Sequence, residues 1–385
     1  MASAGPIRVC VAVTALLHVI TYLLNTQLPL HLVALGGSHA QIGWLFTVTT
    51  GVAMLLRPQV GGWTDRYGGR AVMLPGAGIL VATTLALNLA GTPLAFIGLM
   101  AGLGVANALL STTGSIVVAD ESPPERRGES LALYYVASST GVALGPAVGF
   151  ALAAVGGVAL NFAVVVALAL AVAALVAALR TAPGSAAAPG GLGPPWSRHA
   201  VPASIALIVI TLGAATVYAF LPLYAATAGL GHVAWFFPLM SGCTIVCRLV
   251  LRRASDRFGR VRVLVPALLT ITLGQLTLAA SPTVPGLVLG AALLGCGNSM
   301  LYPTLVALVV DRTPLVERGR AIGTLSGAWD VGLAIGSPLI ALLVEARGFS
   351  AGFLASGLAV ALGLVTFLAL ERRRARATTA LPAAS

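Results

Sequence analysis

Asp330 is the acidic side chain set deepest in an apolar run of this sequence. It lies about 11 residues into the run 319–344, about 16 Å from its nearer end at a helical rise of ~1.5 Å per residue. A carboxyl group at that depth is costly to keep ionised, so it suits the uptake and release of a proton or the holding of a cation. The plainer role is as structural partner of an arginine on a neighbouring helix. His18 is a second titratable group in an apolar run, either a further protonation site or a neutral packed histidine. His18, Tyr22 and Asn25 share one face by their i, i+4, i+7 spacing. Asn107 with Ser111, and Asn298 with Tyr302, form similar faces, and Tyr135, Tyr218 and Trp329 supply aromatic surface. Amide, phenol and indole groups with little net charge suit a neutral, amphipathic or zwitterionic compound. The alternative is interhelical hydrogen bonding, worth about 1 kcal/mol or less each.

Two arginines also sit inside apolar runs. Arg57 and Arg248 each precede a loop aspartate, Asp65 and Asp256, by eight residues. That is a little over two helical turns, or about 12 Å, so arginine and aspartate share a face. They either snorkel to the surface or make symmetric contacts between the two halves of the chain. Their aspartates belong to GGWTDRYGGR (Gly61 to Arg70) and SDRFGR (Ser255 to Arg260). Each stretch reads as a short wet turn between two apolar runs. Asp65, Arg66 and Arg70, with Asp256 and Arg257, are candidate gating groups.

The elements that must carry these residues are membrane spans. Hydrophobic residues make up 58% of the 385 and charged ones 9%, where a soluble protein carries about a quarter charged. Twelve runs of about 20 apolar residues can be drawn: 8–33, 41–62, 71–90, 94–118, 129–154, 158–180, 201–225, 234–254, 262–281, 286–310, 319–344 and 349–370. All Lys/Arg residues are arginine, and apart from Arg57 and Arg248 within runs and Arg347 in an opposite loop they crowd into alternate loops and the two terminal segments. By the positive-inside rule both termini are cytoplasmic, in a multi-pass protein of the cell's inner (plasma) membrane. The net charge of +11 therefore reflects topology and implies no nucleic acid. The first run reads as a retained span rather than a cleaved signal. The four cysteines read as small apolar packing residues, without metal or redox spacing. No G-x-x-x-x-G-K-[ST] loop exists, and no lysine to serve one, so the chain does not itself use ATP. No catalytic constellation is visible, so the chain reads as no enzyme, with no cofactor and no metal.

The chain also repeats itself. Shifted back by 191 residues, Arg248 falls on Arg57, Asp256 on Asp65, Arg257 on Arg66 and Gly259 on Gly68. In the same register Gly295 falls on Gly104, Asn298 on Asn107, Asp311 on Asp120, Gly332 on Gly141 and Gly336 on Gly145. The predicted fold is an all-α membrane protein of twelve transmembrane helices in two parallel six-helix repeats. Residues 1–180 form one bundle, 181–200 a Gly/Pro/Ala-rich cytoplasmic linker, and 201–385 the second bundle with a short tail.

These residues resemble the major facilitator superfamily over essentially the whole chain. GGWTDRYGGR is similar to the family's signature between spans 2 and 3, with Gly69 in place of the first of its two closing basic residues. The resemblance implies a cytoplasmic gating cluster around Asp65, and a central cavity lined by spans 1, 4, 7 and 10. Gly141, Gly145, Pro146 and Gly149 resemble the span-5 motif of drug:proton antiporters, which bends and packs the helix. The arginine usual in span 4 of such exporters is Gly98 here, so coupling must use other groups. The second half also resembles exporters of metallophores and secondary metabolites. The implied function is proton-coupled export of a small organic molecule by a monomer, driven by the proton gradient across the bilayer. The alternatives are an uptake permease on the same fold and a receptor that transports nothing.

Overall fold

The computed structural model describes residues 4–123, 127–181, 196–230, 233, 235–251, 254–314 and 317–379. Regular structure among them is helical throughout. The elements are α1 (Ala4–Ala34), α2 (His39–Tyr67), α3 (Gly69–Leu87), α4 (Pro93–Asn107), a π-helical turn (Ala108–Thr112), α5 (Thr113–Asp120) and α6 (Arg127–Ala178). Then follow α7 (Val201–Thr211), α8 (Ala215–Thr227), α9 (Phe236–Val250), α10 (Ala254–Phe258), α11 (Arg260–Ala280), α12 (Val284–Asp311), α13 (Arg318–Arg347) and α14 (Phe349–Thr379). Most of the expected linker, 182–195, lies outside the described residues.

Ten helical stretches are long and apolar enough to cross a membrane. The difference from twelve has two physical reasons. Expected spans 5 and 6 run together as α6, broken only by non-helical backbone at Gly156 and Gly157 (φ 65°). Expected span 8 is α9, apolar but only 15 residues long. Span starts are capped by short polar side chains. Ser38 and Gln41 close a reciprocal capping box at α2. Thr92 and Thr283, partners in the repeat register, cap α4 and α12 through the amides of Ala95 and Gly286.

The reading of GGWTDRYGGR as a turn needs correction. Gly61 to Tyr67 are the last turns of α2, and α3 begins at Gly69. Charged residues do not stop a helix; the break is Gly68 alone, at φ 83° and ψ 154°, with its N–H on Thr64 O at 2.9 Å. Gly259 repeats this at φ 91°. That backbone region suits a residue without Cβ.

Expected span 7 is present as one stretch, Val201–Thr227, with a turn inside it. Residues 212–214 form a turn between α7 and α8, with Ala214 N on Thr211 O (3.0 Å) and Thr216 N on Gly213 O (3.2 Å). Two helices press on this point. A Cβ at Gly336 of α13 would lie 1.9 Å from Leu212 O, and one at Gly213 would lie 2.5 Å from Ser356 Cα of α14. Thr216 and Ser356 close the turn with a 2.7 Å hydroxyl pair.

The chain forms two compact units, Met1–Gly193 with Val217–Pro238, and Pro194–Thr216 with Leu239–Ser385. In the first, α1 packs along α6 and α2 along α4; in the second, α7 packs on α13 and α14, and α11 on α12. The repeat reaches atomic detail inside each unit. A Cβ at Gly104 would lie 2.4 Å from Thr49 O, and one at its repeat partner Gly295 would lie 2.3 Å from Met240 O. A Cβ at Gly141 would lie 2.5 Å from Ala15 O, and one at Gly332 2.6 Å from Ile208 O. A Cβ at Gly145 would lie 2.8 Å from Val19 O, as one at Gly336 would meet Leu212 O. The register pairs Ala15 with Ala206 and Val19 with Ile210, yet Ile208 and Leu212 take their places. The first helix of each repeat is therefore set off from the common register by about half a turn.

The missing basic residue at position 69 has a steric cause. A Cβ there would lie 2.3 Å from Val117 Cγ2, so α3 and α5 meet where a side chain would stand. In the second unit the repeat position is Arg260, whose guanidinium holds Asp311 at 3.0 Å and Ser255 at 2.7 Å. Gly69→Arg is therefore expected to destabilise the first unit by about 1–3 kcal/mol, the usual overpacking range. A lowered thermal midpoint of the detergent-solubilised protein would show this. Gly78→Ala on the same helix, with nothing within 4 Å, should not lower the midpoint, since alanine is the better helix former.

Candidate functional site

In the first unit the polar residues form a connected chain across α1, α2, the π-helical turn and α6. His18 Nδ1 donates to Thr14 O at 2.7 Å, one turn back on α1. Asn107 Nδ2 donates to Thr21 Oγ1 (3.1 Å) and ties α4 to α1. Ser111 Oγ donates to Asn107 O (2.7 Å). Arg57 Nη1 reaches the hydroxyls of Ser111 and Thr112, each at 3.4 Å. Both hydroxyls stand on the π-helical turn, where the widened backbone carries them side by side; such bulges recur at functional sites. The Tyr134 hydroxyl donates to Ser111 O at 2.8 Å and occupies the space that Gly114 leaves open. Tyr134 is 2% exposed, whereas the expected Tyr135 is half-buried and lies edge-on to it, centroids 5.6 Å apart. Sequence reasoning missed Tyr134, Thr14, Thr21 and Thr112. Adjacent tyrosines cannot be told apart until the helix phase of α6 is known.

An aromatic run belongs to the same unit. Tyr22 and Tyr218 meet edge-on at 5.0 Å. Tyr218 stacks on Phe237 (6.3 Å), which stacks on Phe150 (5.4 Å). Asn25 follows Tyr22 on α1, half-buried. Gly141 and Gly145 of α6 lie against the backbone of α1 at Ala15 and Val19, and Gly149 lies against Gln27. Pro146, next to Gly145, is also buried. The span-5 motif thus seats α6 on the helix that carries His18, Tyr22 and Asn25.

In the second unit Asp330 is 7% exposed. Ser326, Trp329 and Asp330 share a face of α13 by their i, i+3, i+4 spacing. Tyr302 of α12 meets that face twice, through its hydroxyl to Ser326 Oγ (2.8 Å) and edge-on to Trp329 (5.8 Å). The structure so brings Tyr302 against Trp329 and adds Ser326, with Asp330 buried next to Trp329 in the chain. Asn298 is not joined to them by a hydrogen bond; its amide donates to Leu294 O of its own helix at 2.9 Å. Arg248 Nε donates to Ser299 O (3.3 Å). Among the described residues no three His, Cys, Asp or Glu are arranged to hold a metal ion.

The expected gating residues lie at helix ends. Asp65, Arg66 and Arg70 are exposed, and Arg66 lies over the Tyr67 ring at 5.3 Å. Arg257 repeats this over Phe258 at 5.4 Å. The side chain of Asp256 lies outside the described residues. A further ionic set, not foreseen from sequence, joins Arg312, the residue capping the end of α12, to Glu371 of α14 through two bonds, Nη1 to Oε1 (2.6 Å) and Nη2 to Oε2. Such paired bonds are the strong geometry for a guanidinium and a carboxylate.

Comparison with known proteins bears on this arrangement. A family model described as Major Facilitator Superfamily matches residues 10–251 and 203–384. An uncharacterized MFS-type transporter of Pseudomonas aeruginosa is 33% identical over 175 residues, 46% of this chain and 44% of its own length. The matched stretch thus spans less than half of that relative. The staphylopine export protein of Staphylococcus aureus is 24% identical over 377 residues, 90% of this chain and 91% of its own. Among solved structures, a peptide transporter in complex with sulfate superposes with a TM-score of 0.77 at 15% identity, covering 95% of this chain and 94% of that one. A nucleoside transporter superposes with a TM-score of 0.75 at 14% identity, covering 94% of this chain and 99% of that one. At such identities the likeness is one of fold.

Proposed function

This chain belongs to the Major Facilitator Superfamily, and from that premise we propose that it is a proton-coupled exporter of a small organic molecule. The observation that carries this reading is the end-to-end similarity to an export protein, across 90% of the chain. The staphylopine relative directs attention to metallophores and similar secondary metabolites. Asp330, buried beside Trp329 on the face that Tyr302 meets, is the coupling carboxylate of the proposal. His18 is the second proton-coupling group of the proposal; Tyr22, Asn25, Asn107, Ser111, Tyr135 and Tyr218 within the first unit, and Asn298, Tyr302 and Trp329 within the second, are its candidate cargo groups. The arginine distribution supports cytoplasmic termini and a place in the inner membrane. Two compact units with matching internal packing suit alternating access.

The test compares metabolites inside and outside cells with and without the gene. Export predicts that the deletion strain retains a compound in the cytoplasm and loses it from the medium. A compound that instead fails to enter the deletion strain would identify an uptake permease and overturn the reading. Adding the compound to proteoliposomes holding the purified chain should then move protons in the opposite direction.

A further inference from the structure

Helices α9 and α12 of the second unit meet along a closely drawn seam. A Cβ at Gly295 would lie 2.3 Å from Met240 O and 2.8 Å from Cys243 Cβ. Thr244 Oγ1 donates to Gly295 O at 3.1 Å. One turn further, Cys247 Sγ and Cys296 Sγ stand 2.9 Å apart, inside the van der Waals contact of two sulfurs. Beyond them Arg248 Nε donates to Ser299 O at 3.3 Å. Hydrogen bonds on both sides thus hold the two thiols face to face. Both are free and half-buried. The seam does not require them. In the first unit their repeat partners are Leu56 and Val105, which pack as apolar side chains against the cluster of Ala53, Val60, Val72, Ala108 and Leu109.

We propose that Cys247 and Cys296 form a redox modification site, in which a hydroperoxide converts the dithiol into a disulfide that staples α9 to α12. One thiol, as thiolate, attacks a peroxide oxygen and the O–O bond breaks. The departing oxygen leaves as water or alcohol with that thiol's proton, and the sulfur becomes a sulfenic acid. The second thiolate attacks this sulfur and displaces hydroxide, which takes the second thiol's proton and leaves as water. Two thiols together lose two electrons and two protons, and the peroxide is reduced by the same two electrons. In a reducing compartment the pair rests as thiols and is restored by thiol exchange. Cys296 lies two residues before Asn298 and six before Tyr302, so the staple restrains the part of α12 that carries both.

The site is tested in the full chain carrying a protease site inserted after Ser281, between α11 and α12, with Cys10 and Cys243 replaced by alanine. After hydrogen peroxide and proteolysis, the two fragments are expected to migrate as one band without reductant and to separate with dithiothreitol. Cys247→Ala or Cys296→Ala should separate them under both conditions. In the uncut protein, peroxide should raise the thermal midpoint by several degrees, reversed by dithiothreitol and absent in either variant. Fragments that separate without reductant after peroxide treatment would overturn the proposal. So would linkage that persists in Cys296→Ala. The unmodified chain gives an independent check by peptide mass spectrometry. The oxidised protein should yield a linked pair containing Cys247 and Cys296, and a pair joined through Cys243 instead would also overturn it.

Discussion

Gly336→Val is expected to leave less than about a tenth of the wild-type amount of folded protein, because overpacking against an atom that cannot move exceeds the usual cost of about 1–3 kcal/mol. Fluorescence-detected gel filtration of solubilised membranes measures this. The reason is the identity of the atoms met. A Cβ at 336 would lie 1.9 Å from Leu212 O, 2.4 Å from Leu212 Cα and 2.5 Å from Leu212 C, all of them backbone. A flexible side chain would yield to the intrusion; this backbone is already fixed at the turn in span 7. That turn is held on its other side by α14, where Gly213 meets Ser356 and the Thr216 hydroxyl pairs with that of Ser356. The equivalent change in the first unit, Gly145→Val, meets Val19 O at 2.8 Å and Leu23 N at 2.9 Å. It should reduce the yield less. Gly323→Val and Gly327→Val lie on the same helix as Gly336 with nothing within 4 Å, and both should keep the wild-type yield. Loss of fold in these as well would show that α13 simply does not tolerate valine.

The contrast between spans 2–5 and span 1 shows what was legible in the sequence. In an apolar chain, rare charges and amides are high-contrast marks. Arg57, Asp65 and Asn107 therefore set the repeat register that Gly104 and Gly295 obey in atomic contacts. The first helix of each repeat carries few such marks, and its slip is visible where Gly141 and Gly145, and Gly332 and Gly336, meet their neighbours. The turn at 212–214 was hidden for the same reason. Leu-Gly-Ala is ordinary in a membrane helix, and the close approach of α13 and α14 at this turn is a tertiary contact that local sequence does not record. GGWTDRYGGR shows the opposite case: its polarity suggests a turn, yet the helix runs to Tyr67. Hydrogen-bond partners were the least legible. Asn298 closes on its own helix, and Tyr134 rather than its neighbour reaches Ser111. The meeting of Cys247 with Cys296, far apart in the chain, needs the fold of the second unit.

Asp330→Asn is expected to abolish uphill export while leaving a folded protein that still exchanges its cargo down a gradient. Asparagine keeps the volume and the hydrogen-bonding reach of the carboxyl group but does not carry a proton on and off. If Asp330 couples proton entry to cargo exit, its amide severs that link and touches little else. The cargo would still meet Tyr302 and Trp329, and counterflow across proteoliposomes without a pH gradient should stay within about threefold of wild type, a difference of under about 1 kcal/mol. Under an imposed pH gradient the accumulation ratio should fall to about one. A structural role predicts the reverse pattern. Removing one partner of a buried ion pair costs about 3–5 kcal/mol, so the thermal midpoint and folded yield would drop, and whatever protein survived would still concentrate its cargo. Measuring both quantities on one preparation therefore separates the roles. A variant of normal yield that still drives cargo uphill with the pH gradient would remove Asp330 from the coupling path. That would leave His18, on α1 of the first unit and hydrogen-bonded to Thr14 O, as the other proton-coupling candidate.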